Sequence, residues 1–461
     1  SRGSETPAAL PIPRKNKSSS EQRASQSRAR LLRAALLMRR AFALRASPHW
    51  PGLWAGSTST ARGFSGLAPV SGLAPVYVSS LQEAIVERCA TSVPRPLPTF
   101  RILGPDAKTL VGDDEAVLHA GGRETATMIY TSMVRHQALD EIFFAAQRQG
   151  RLSFYAQALG EEAATVASAA ALRPDDEVFA QYREQGVLLW RGYTLDQFAN
   201  QCSGNSLSPE KGRTMPVHYG SKALHYHTIS SPLATQIPHA VGAALALRSD
   251  SADARVAVTY FGDGAASEGD FYCALNFAAA LEAPALFLCR NNGWAISTPA
   301  AEQYAGDGVA ARACALGVDA LRVDGNDALA VRAGVAEMRK RVVLNQRPAF
   351  VELMTYRLSH HSTSDDATQY RRADEQRQAL KNNPVDRLGK WLQAEGWWDA
   401  DQEARLRGSA RAETLQALVD AEKVPKTPPL ESLFDDVYDK RTPNLDAQRA
   451  VLSDHLRRQA P

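Results

Sequence analysis

The chain has 461 residues, 44% of them hydrophobic and 22% charged, which excludes a collagen or a wholly disordered protein. No run of eighteen uncharged apolar residues occurs, so the sequence predicts no membrane span. Residues 1–80 hold 12 Lys and Arg but only 2 Asp and Glu. Residues 81–461 hold the other 41 basic and 48 acidic residues, and this mildly acidic part of the chain does not indicate nucleic-acid binding.

The N-terminal region has the composition of a targeting segment. Residues 14–64 are rich in Arg, Ser and Ala, and arginines and leucines recur at helical spacing between Arg28 and Arg45. This acid-poor amphipathic pattern is typical of an organelle transit peptide, and the near repeat over 65–76 is typical of a linker. A disordered basic tail is the alternative. Five widely spaced cysteines without a CxxC pair fit a reducing compartment.

The rest of the chain divides into three parts. Residues 76–150 predict an N-terminal arm followed by a helix over 122–149. Residues 151–365 predict an α/β domain, because apolar strand patterns alternate with helical ones and imply a mainly parallel sheet flanked by helices. Its predicted strands are 254–261, 284–289, 320–324 and 349–356, and its main predicted helices are 233–247, 268–281 and 327–344. Residues 366–461 predict a C-terminal helical extension, in which the apolar cluster at Leu433–Tyr438 indicates either a subunit contact or a local cap.

A glycine-rich loop follows the first of these strands. Gly262-Asp263-Gly264 opens a helix, but Ser267 stands where a dinucleotide fingerprint needs glycine. Asp263 would also repel a phosphate at the helix N-terminus unless a cation lay between them. The loop is therefore either a turn with an aspartate cap or part of a magnesium–phosphate site.

A second polar loop favours the metal interpretation. Arg290, Asn291 and Asn292 follow the next strand, and parallel strands of one βαβ unit end at the same edge of the sheet. Asn292 can give a carbonyl oxygen to the cation, and Arg290 can bind a phosphate with its guanidinium. This pairing of Gly-Asp-Gly with Asn-Asn is the signature of enzymes that bind thiamine pyrophosphate through magnesium.

From about residue 99 to residue 440 the chain resembles the alpha subunits of branched-chain 2-oxo acid dehydrogenase complexes. The stretches that carry the resemblance are 180–184, 212–220, 230–236, 262–270, 289–299 and 356–366. The paired His360-His361 before Ser362 resembles the branched-chain enzymes, whereas pyruvate enzymes usually show His-Gly-His. The resemblance implies a thiamine diphosphate-binding fold and a mitochondrial matrix location, with residues 1–75 as mitochondrial transit peptide and linker.

The resemblance also implies roles for single residues. Magnesium would be bound by the Asp263 and Asn292 side chains and by the Trp294 carbonyl. A structural potassium ion would be bound by Ser230, Pro232, Thr235 and Gln236. The other cofactor contacts would come from Gln181, Tyr182, Arg183, Ser231, Leu233, Gly262, Gly264, Ala265, Arg290 and His361. His361 would also be the catalytic proton-handling residue, and Ser362 would be phosphorylated, placing about two negative charges beside it.

Two departures from the family pattern bear on which of these roles can be transferred to this chain. Trp294 stands where a tyrosine is common, but only its carbonyl is required. Arg372 stands at the family's second phosphorylation position, so control through that position cannot operate. Without the resemblance, Arg183 would be interpreted as a surface ion pair and Ser362 as an unmodified loop serine.

The resemblance implies several partners. A beta subunit in an α2β2 assembly would supply a glutamate that this chain lacks, so the chain alone should be inactive. The acyl group would pass to the lipoyl group of an acyltransferase core, and a kinase and phosphatase would regulate the enzyme. Three alternatives stay open: the same chemistry on pyruvate or a related 2-oxo acid, a non-catalytic regulatory subunit, and a dinucleotide dehydrogenase, which Asp263 and Ser267 disfavour.

Overall fold

The computed structural model describes residues 76–87, 96–104, 106–111, 120–249, 251 and 254–459. The transit peptide and linker predicted for residues 1–75 lie outside these ranges. In the part of the chain so described, no helix is both long enough and apolar enough to cross a membrane.

A nine-stranded sheet forms the centre of the described chain, and its strands are β1 (Tyr77–Val78), β2 (Ile85–Val86), β3 (Thr99–Phe100), β4 (Glu177–Phe179), β5 (Tyr226–His227), β6 (Ala257–Gly262), β7 (Ala285–Asn291), β10 (Asp319–Asp324) and β11 (Ala349–Met354). They lie in the order β1-β3-β10-β11-β7-β6-β4-β5, with β2 beside β10. All its pairings are parallel except that of β2. A separate hairpin is formed by β8 (Trp294–Ala295) and β9 (Thr298–Pro299).

Helices connect and cover these strands. They are α1 (Leu81–Ala84), α2 (Gly122–Arg148), α3 (Glu162–Ala169), α4 (Gln185–Trp190), α5 (Leu195–Ser203), α6 (Gln236–Leu247), α7 (Gly269–Ala280), α8 (Ala300–Gln303), α9 (Ala310–Ala315), α10 (Ala328–Asn345), α11 (Ala373–Leu380), α12 (Pro384–Ala394), α13 (Ala400–Lys423), α14 (Pro429–Ser432) and α15 (Pro443–Gln459). Short 3-10 turns occur at Lys222–Leu224, Ala265–Ser267 and Ala367–Gln369.

The sheet is buried on both faces, as expected when crossover helices cover a parallel sheet. Along β7, Leu286 and Leu288 pack into one hydrophobic core, which includes residues of α2, α3 and α10. Phe287 and Cys289 alternate with them and pack into a second core beneath α6, α7 and α9. This period-two alternation explains why β7 is a continuous apolar run rather than an amphipathic strand.

The predicted α/β class is confirmed, and the predicted strands of the central sheet agree with the observed ones to within a few residues. The sequence analysis missed β4 and β5, because two or three residues carry no readable alternation. The arm contributes β1 and β3 to the same sheet through β10. Four strands, β4, β6, β7 and β11, lie side by side, and the loops after them form one edge of the sheet.

Candidate active site

A cavity of about 460 Å³ lies at this edge, beyond the carboxyl ends of β4, β6, β7 and β11. Every predicted cofactor and magnesium residue lines it: Gln181, Tyr182, Arg183, Ser231, Leu233, Gly262, Asp263, Gly264, Ala265, Arg290, Asn292, Trp294 and His361. The predicted potassium residues and Ser362 are not among the lining residues. The cavity therefore brings together predicted residues that lie up to 180 positions apart in the sequence, from Gln181 to His361.

Asp263 follows β6 directly and is 1% exposed. Its Oδ2 accepts a hydrogen bond from Gln303 Nε2 at 3.1 Å. Burial raises the pKa of the Asp263 carboxyl to about 6, and the bond from Gln303 offsets this only in part. A cation bound there would favour the ionised carboxylate, so the environment of Asp263 is suited to a metal ligand.

Asn292 and Trp294 lie opposite Asp263, after β7. The amide Nδ2 of Asn292 donates to Glu161 Oε1 at 3.1 Å, while its Oδ1 accepts from the Trp294 backbone N–H, also at 3.1 Å. Glu161 therefore fixes which end of the Asn292 amide is nitrogen. The described residues contain no cluster of three His, Cys, Asp or Glu side chains suited to a metal, so a cation here would depend on amide and carbonyl oxygens beside Asp263.

Arg290 is fully buried between two carboxylates. Its Nε donates to Glu184 Oε1 at 2.5 Å, and its Nη1 donates to Glu161. These two glutamates raise the pKa of the guanidinium against the opposing effect of burial. The sequence analysis assigned the guanidinium to a phosphate, and this stays a prediction: Nε and Nη1 bond the two glutamates, and within the described residues no partner is found for Nη2.

His361 is held by two arginines. Its Nδ1 lies 3.1 Å from Arg183 Nη2 and 3.4 Å from Arg357 Nη1, and its carbonyl accepts from Arg183. Burial, followed by repulsion from the two guanidinium groups, lowers the pKa of the imidazole to about 3. The adjacent His360 instead accepts a bond from the Ala367 N–H at 2.9 Å.

Arg357 was not predicted, although it follows the end of β11 and joins three parts of the site. Its Nη1 lies 3.4 Å from the Trp294 carbonyl, which is the predicted magnesium ligand. Its Nη2 donates to the Ile296 carbonyl at 2.7 Å and to Tyr370 Oη at 3.0 Å. Arg357 thus ties the hairpin after β7 to the loop that carries His361.

A second histidine, His218, also lines the cavity and was not predicted. Its Nδ1 lies 3.1 Å from the Pro216 carbonyl, which can only accept, so Nδ1 carries the hydrogen. In the neutral ring, Nε2 then accepts from Ser231 Oγ, 2.7 Å away. Apolar side chains complete this wall: Phe154, Met215, Leu233 and Ile296.

The predicted potassium residues lie in the turn that leads into α6, next to the cavity. Gln236 is buried, and its Nε2 donates to the Tyr260 carbonyl at 2.9 Å. Ser362 is partly exposed beside His361, and its Oγ accepts from the Ser364 N–H at 3.3 Å. The potassium site and the phosphorylation of Ser362 therefore stay predictions.

Sequence reasoning missed Arg357, His218, Glu161 and Glu184. The position of Arg357 directly after a predicted strand was a usable signal. The two glutamates and His218 carried no such signal, because their roles come from side-chain contacts that only the fold creates. Glu161 and Glu184 each lie more than 100 residues from Arg290 in the sequence.

Comparison with known proteins gives consistent matches. The family model of the dehydrogenase E1 component matches residues 130–430. The 2-oxoisovalerate dehydrogenase subunit alpha 1, mitochondrial, of Arabidopsis thaliana is 50% identical over 366 residues, which cover 79% of this chain and 76% of that protein.

The animal relatives show similar coverage. The subunit alpha proteins of the same enzyme are 49% identical over 363 residues in Caenorhabditis elegans and 47% identical over 361 residues in Homo sapiens. They cover 78% of this chain, and the chain covers 83% and 80% of them. The span matched by the family model contains all the cavity residues described above.

Proposed function

This chain belongs to the dehydrogenase E1 component family, and from this premise we propose that it decarboxylates branched-chain 2-oxo acids as the alpha subunit of a thiamine pyrophosphate-dependent enzyme. The substrates would be the 2-oxo acids of leucine, isoleucine and valine, and the acyl group would pass to the lipoyl group of a partner acyltransferase. The observation that carries this proposal is 47–50% identity, over more than three quarters of the chain, to proteins named 2-oxoisovalerate dehydrogenase subunit alpha.

The oxygen ligands beside the cavity fit a magnesium ion. We propose that Asp263 Oδ1 or Oδ2, Asn292 Oδ1 and the Trp294 carbonyl bind Mg²⁺, which prefers such ligands and commonly bridges them to phosphates. The support is that Asp263 and Asn292 are buried and line the same cavity, and that Glu161 orients the Asn292 amide. Ser230, Pro232, Thr235 and Gln236 would bind a structural K⁺ ion.

Thiamine pyrophosphate, when bound, supplies the electron sink for the loss of carbon dioxide. The residues of this chain would position and desolvate the reactants. Arg183 and Nη2 of Arg290 would contact the diphosphate. The residues beside the rest of the cofactor would be Gln181, Tyr182, Ser231 and Leu233. His361, whose Nδ1 accepts from arginine, would direct the Nε2–H of its neutral ring at the reacting centre as a hydrogen-bond donor.

A branched substrate also suits the apolar wall of the cavity. Phe154, Met215, Leu233 and Ile296 provide a surface against which an aliphatic side chain could be buried. Each buried methylene is worth about 0.8 kcal/mol, so a wall of this kind favours a branched acid over pyruvate. The pyruvate alternative remains the competing substrate in the experiment below.

We further propose a beta subunit as partner in an α2β2 assembly. Leu433, Val437 and Tyr438 are 55%, 49% and 64% exposed, which supports their prediction as a subunit contact rather than a local cap. The names of the relatives include the word mitochondrial. This supports a matrix location for the chain and a transit peptide within residues 1–75. Ser362 would be the target of a regulatory kinase and phosphatase.

The test is decarboxylation of 3-methyl-2-oxobutanoate and of pyruvate by the chain co-expressed with a beta subunit, with thiamine pyrophosphate and magnesium present. We expect a higher kcat/KM for the branched acid and no turnover by the chain alone. Activity on pyruvate alone would overturn the substrate assignment. A stable complex inactive on both acids would favour a regulatory subunit.

A further inference from the structure

Gln201 is a buried glutamine on α5 that lies outside the cavity and serves none of the roles above. It is 1% exposed, yet both ends of its amide are used. Its Nε2 donates to the Met215 carbonyl at 2.8 Å and to Thr214 Oγ1 at 3.0 Å, and its Oε1 accepts from the Val217 N–H at 3.1 Å. One side chain therefore holds the backbone of a single short segment from both sides.

The segment from Met215 to His218 is a turn that carries backbone strain. The His218 N–H bonds to the Met215 carbonyl at 3.3 Å, Pro216 occupies the second position, and Val217 has φ of 63°. These are features of a type II turn, whose third position normally requires glycine. A β-branched residue in the left-handed region is an outlier that persists only where the surroundings impose it.

The two ends of this turn reach the cavity described above. Met215 and His218 both line it, while Val217 between them is fully buried. His218 is in turn fixed by the Pro216 carbonyl and by Ser231 Oγ. Because Gln201 binds the backbone on both sides of Pro216, a shift of its amide would move the Met215 side chain and the His218 ring together.

We propose that Gln201 is a positioning residue that imposes the strained Met215–His218 turn and thereby sets the shape of the cavity wall that selects the 2-oxo acid. The link to substrate selection rests on the proposed function. The conclusion that Gln201 holds the turn does not depend on the proposed function. Gln201 itself touches neither the cavity nor the reacting atoms, so its effect is expected on selectivity and substrate KM rather than on cofactor binding.

The test is Gln201→Glu in the full chain assembled with the beta subunit. The change keeps the size and the acceptor for the Val217 N–H but sets a carboxylate oxygen against the Met215 carbonyl. Gln197→Glu is the matched control, because Gln197 is partly exposed on the same helix and glutamate preserves its capping box with Thr194. Both variants are compared with wild type in four measurements: kcat and KM for 3-methyl-2-oxobutanoate and pyruvate, thiamine pyrophosphate affinity, thermal midpoint, and amide exchange over residues 214–218.

We expect Gln201→Glu to lower the ratio of kcat/KM for the branched acid to that for pyruvate by about tenfold or more, the range that one or two methylenes provide. The loss should fall on KM of the branched acid, while cofactor affinity stays at the wild-type value. Amide exchange over 214–218 should quicken in this variant and not in Gln197→Glu. Thr214→Val, which removes only one contact, should act in the same direction more weakly and replaces Gln201→Glu if that chain does not assemble.

An unchanged selectivity ratio, or an equal fall in kcat for both acids at unchanged KM, would overturn the assignment of Gln201 to substrate positioning. Unchanged exchange over 214–218 would overturn its role in holding the turn. If wild type and Gln197→Glu are themselves inactive on both acids while the exchange result is as expected, the proposed function fails and the positioning of the turn stands.

Discussion

His361 Nδ1 lies 3.1 Å from Nη2 of Arg183, and this contact fixes the tautomer of the imidazole. A guanidinium group only donates hydrogen bonds, so Nδ1 must accept and the ring hydrogen resides on Nε2. Burial and the neighbouring arginines lower the pKa of His361 to about 3, so the ring is neutral at pH 7. A neutral imidazole with a fixed Nε2–H is a hydrogen-bond donor of defined direction.

Arg183→Lys should slow catalysis while leaving the chain folded. Lysine keeps the charge but cannot bond the Gln157 and His361 carbonyls and Nδ1 at once, as Arg183 does. We expect kcat to fall about 10–100-fold, the cost of displacing a reacting group by about 1 Å. Steady-state kinetics of the assembled enzyme would check this. Arg372→Lys, at an exposed arginine, is the control, and equal activity of the two variants would contradict the role of Arg183.

Asp263→Asn should weaken magnesium-dependent binding of thiamine pyrophosphate. Replacing the carboxylate removes the only formal negative charge among the three proposed ligands. Even the loss of an outer-shell partner costs about 10–100-fold in metal affinity, so a loss of at least this size is expected. Titration of the cofactor against increasing Mg²⁺ measures it. Asp270→Asn, an exposed aspartate in the first turn of α7, should bind as wild type does. Wild-type magnesium dependence in Asp263→Asn would exclude it as a ligand.

Ser362→Glu should inhibit turnover. The Asp365 carboxylate next to Ser362 accepts from the His361 N–H at 2.8 Å and from Tyr370 Oη at 2.5 Å, and a new negative charge would compete for these donors. We expect a fall in kcat on the order of 100-fold, as for a catalytic group displaced by about 1 Å. Ser364→Glu, two residues further along and exposed, tests whether the position matters. Equal inhibition by both would indicate a general charge effect.

Glu162 should make stability depend on pH. Burial raises the pKa of its carboxyl to about 8, despite bonds donated by Gln137 at 3.1 Å and by the Gly160 N–H at 2.9 Å. The folded state then retains a proton that the unfolded state releases above its ordinary pKa of about 4.3, so stability falls as pH rises from about 4 to 8.

Urea unfolding at pH 5, 6.5 and 8 would measure this effect. The glutamine of Glu162→Gln does not titrate, so the urea midpoint of this variant should increase relative to that of wild type as pH rises. Glu141→Gln, at an exposed position on α2, serves as the control. A constant difference between wild type and Glu162→Gln across this range would show that the carboxyl is already ionised in the folded state.

Tyr438→Ala should impair assembly with the beta subunit without unfolding the chain. The ring is 64% exposed, so its removal costs the isolated chain little, whereas aromatic anchors commonly dominate interfaces. Co-purification and analytical ultracentrifugation with the beta subunit would reveal the loss. Leu380→Ala, at an exposed leucine on α11, should assemble normally. Normal α2β2 formation by Tyr438→Ala would assign the ring to a local role.

Much of the catalytic edge follows from the sequence because it depends on local pattern and one rule of sheet geometry. Gly262–Asp263 and Arg290–Asn292 each follow a buried apolar strand, and adjacent parallel strands end at the same edge. The pairing of Gly262 with Arg290 across β6 and β7 bears this out. His361 follows β11, which pairs with β7, so its approach to the same cavity has the same cause.

Only the tertiary structure decides how these side chains are held. The amide of Asn292 is oriented by Glu161, the guanidinium of Arg290 is occupied by Glu161 and Glu184, and the turn at Met215–His218 is held by Gln201. Such contacts have no period and no motif, because each joins segments that meet only when helices and loops pack around the sheet. The sequence by itself determined the α/β class, the strand ends that bear the chemistry and the family. The packed structure decided which polar group is bonded internally and which is left for a ligand, since a buried polar atom must find its partner wherever the fold provides one.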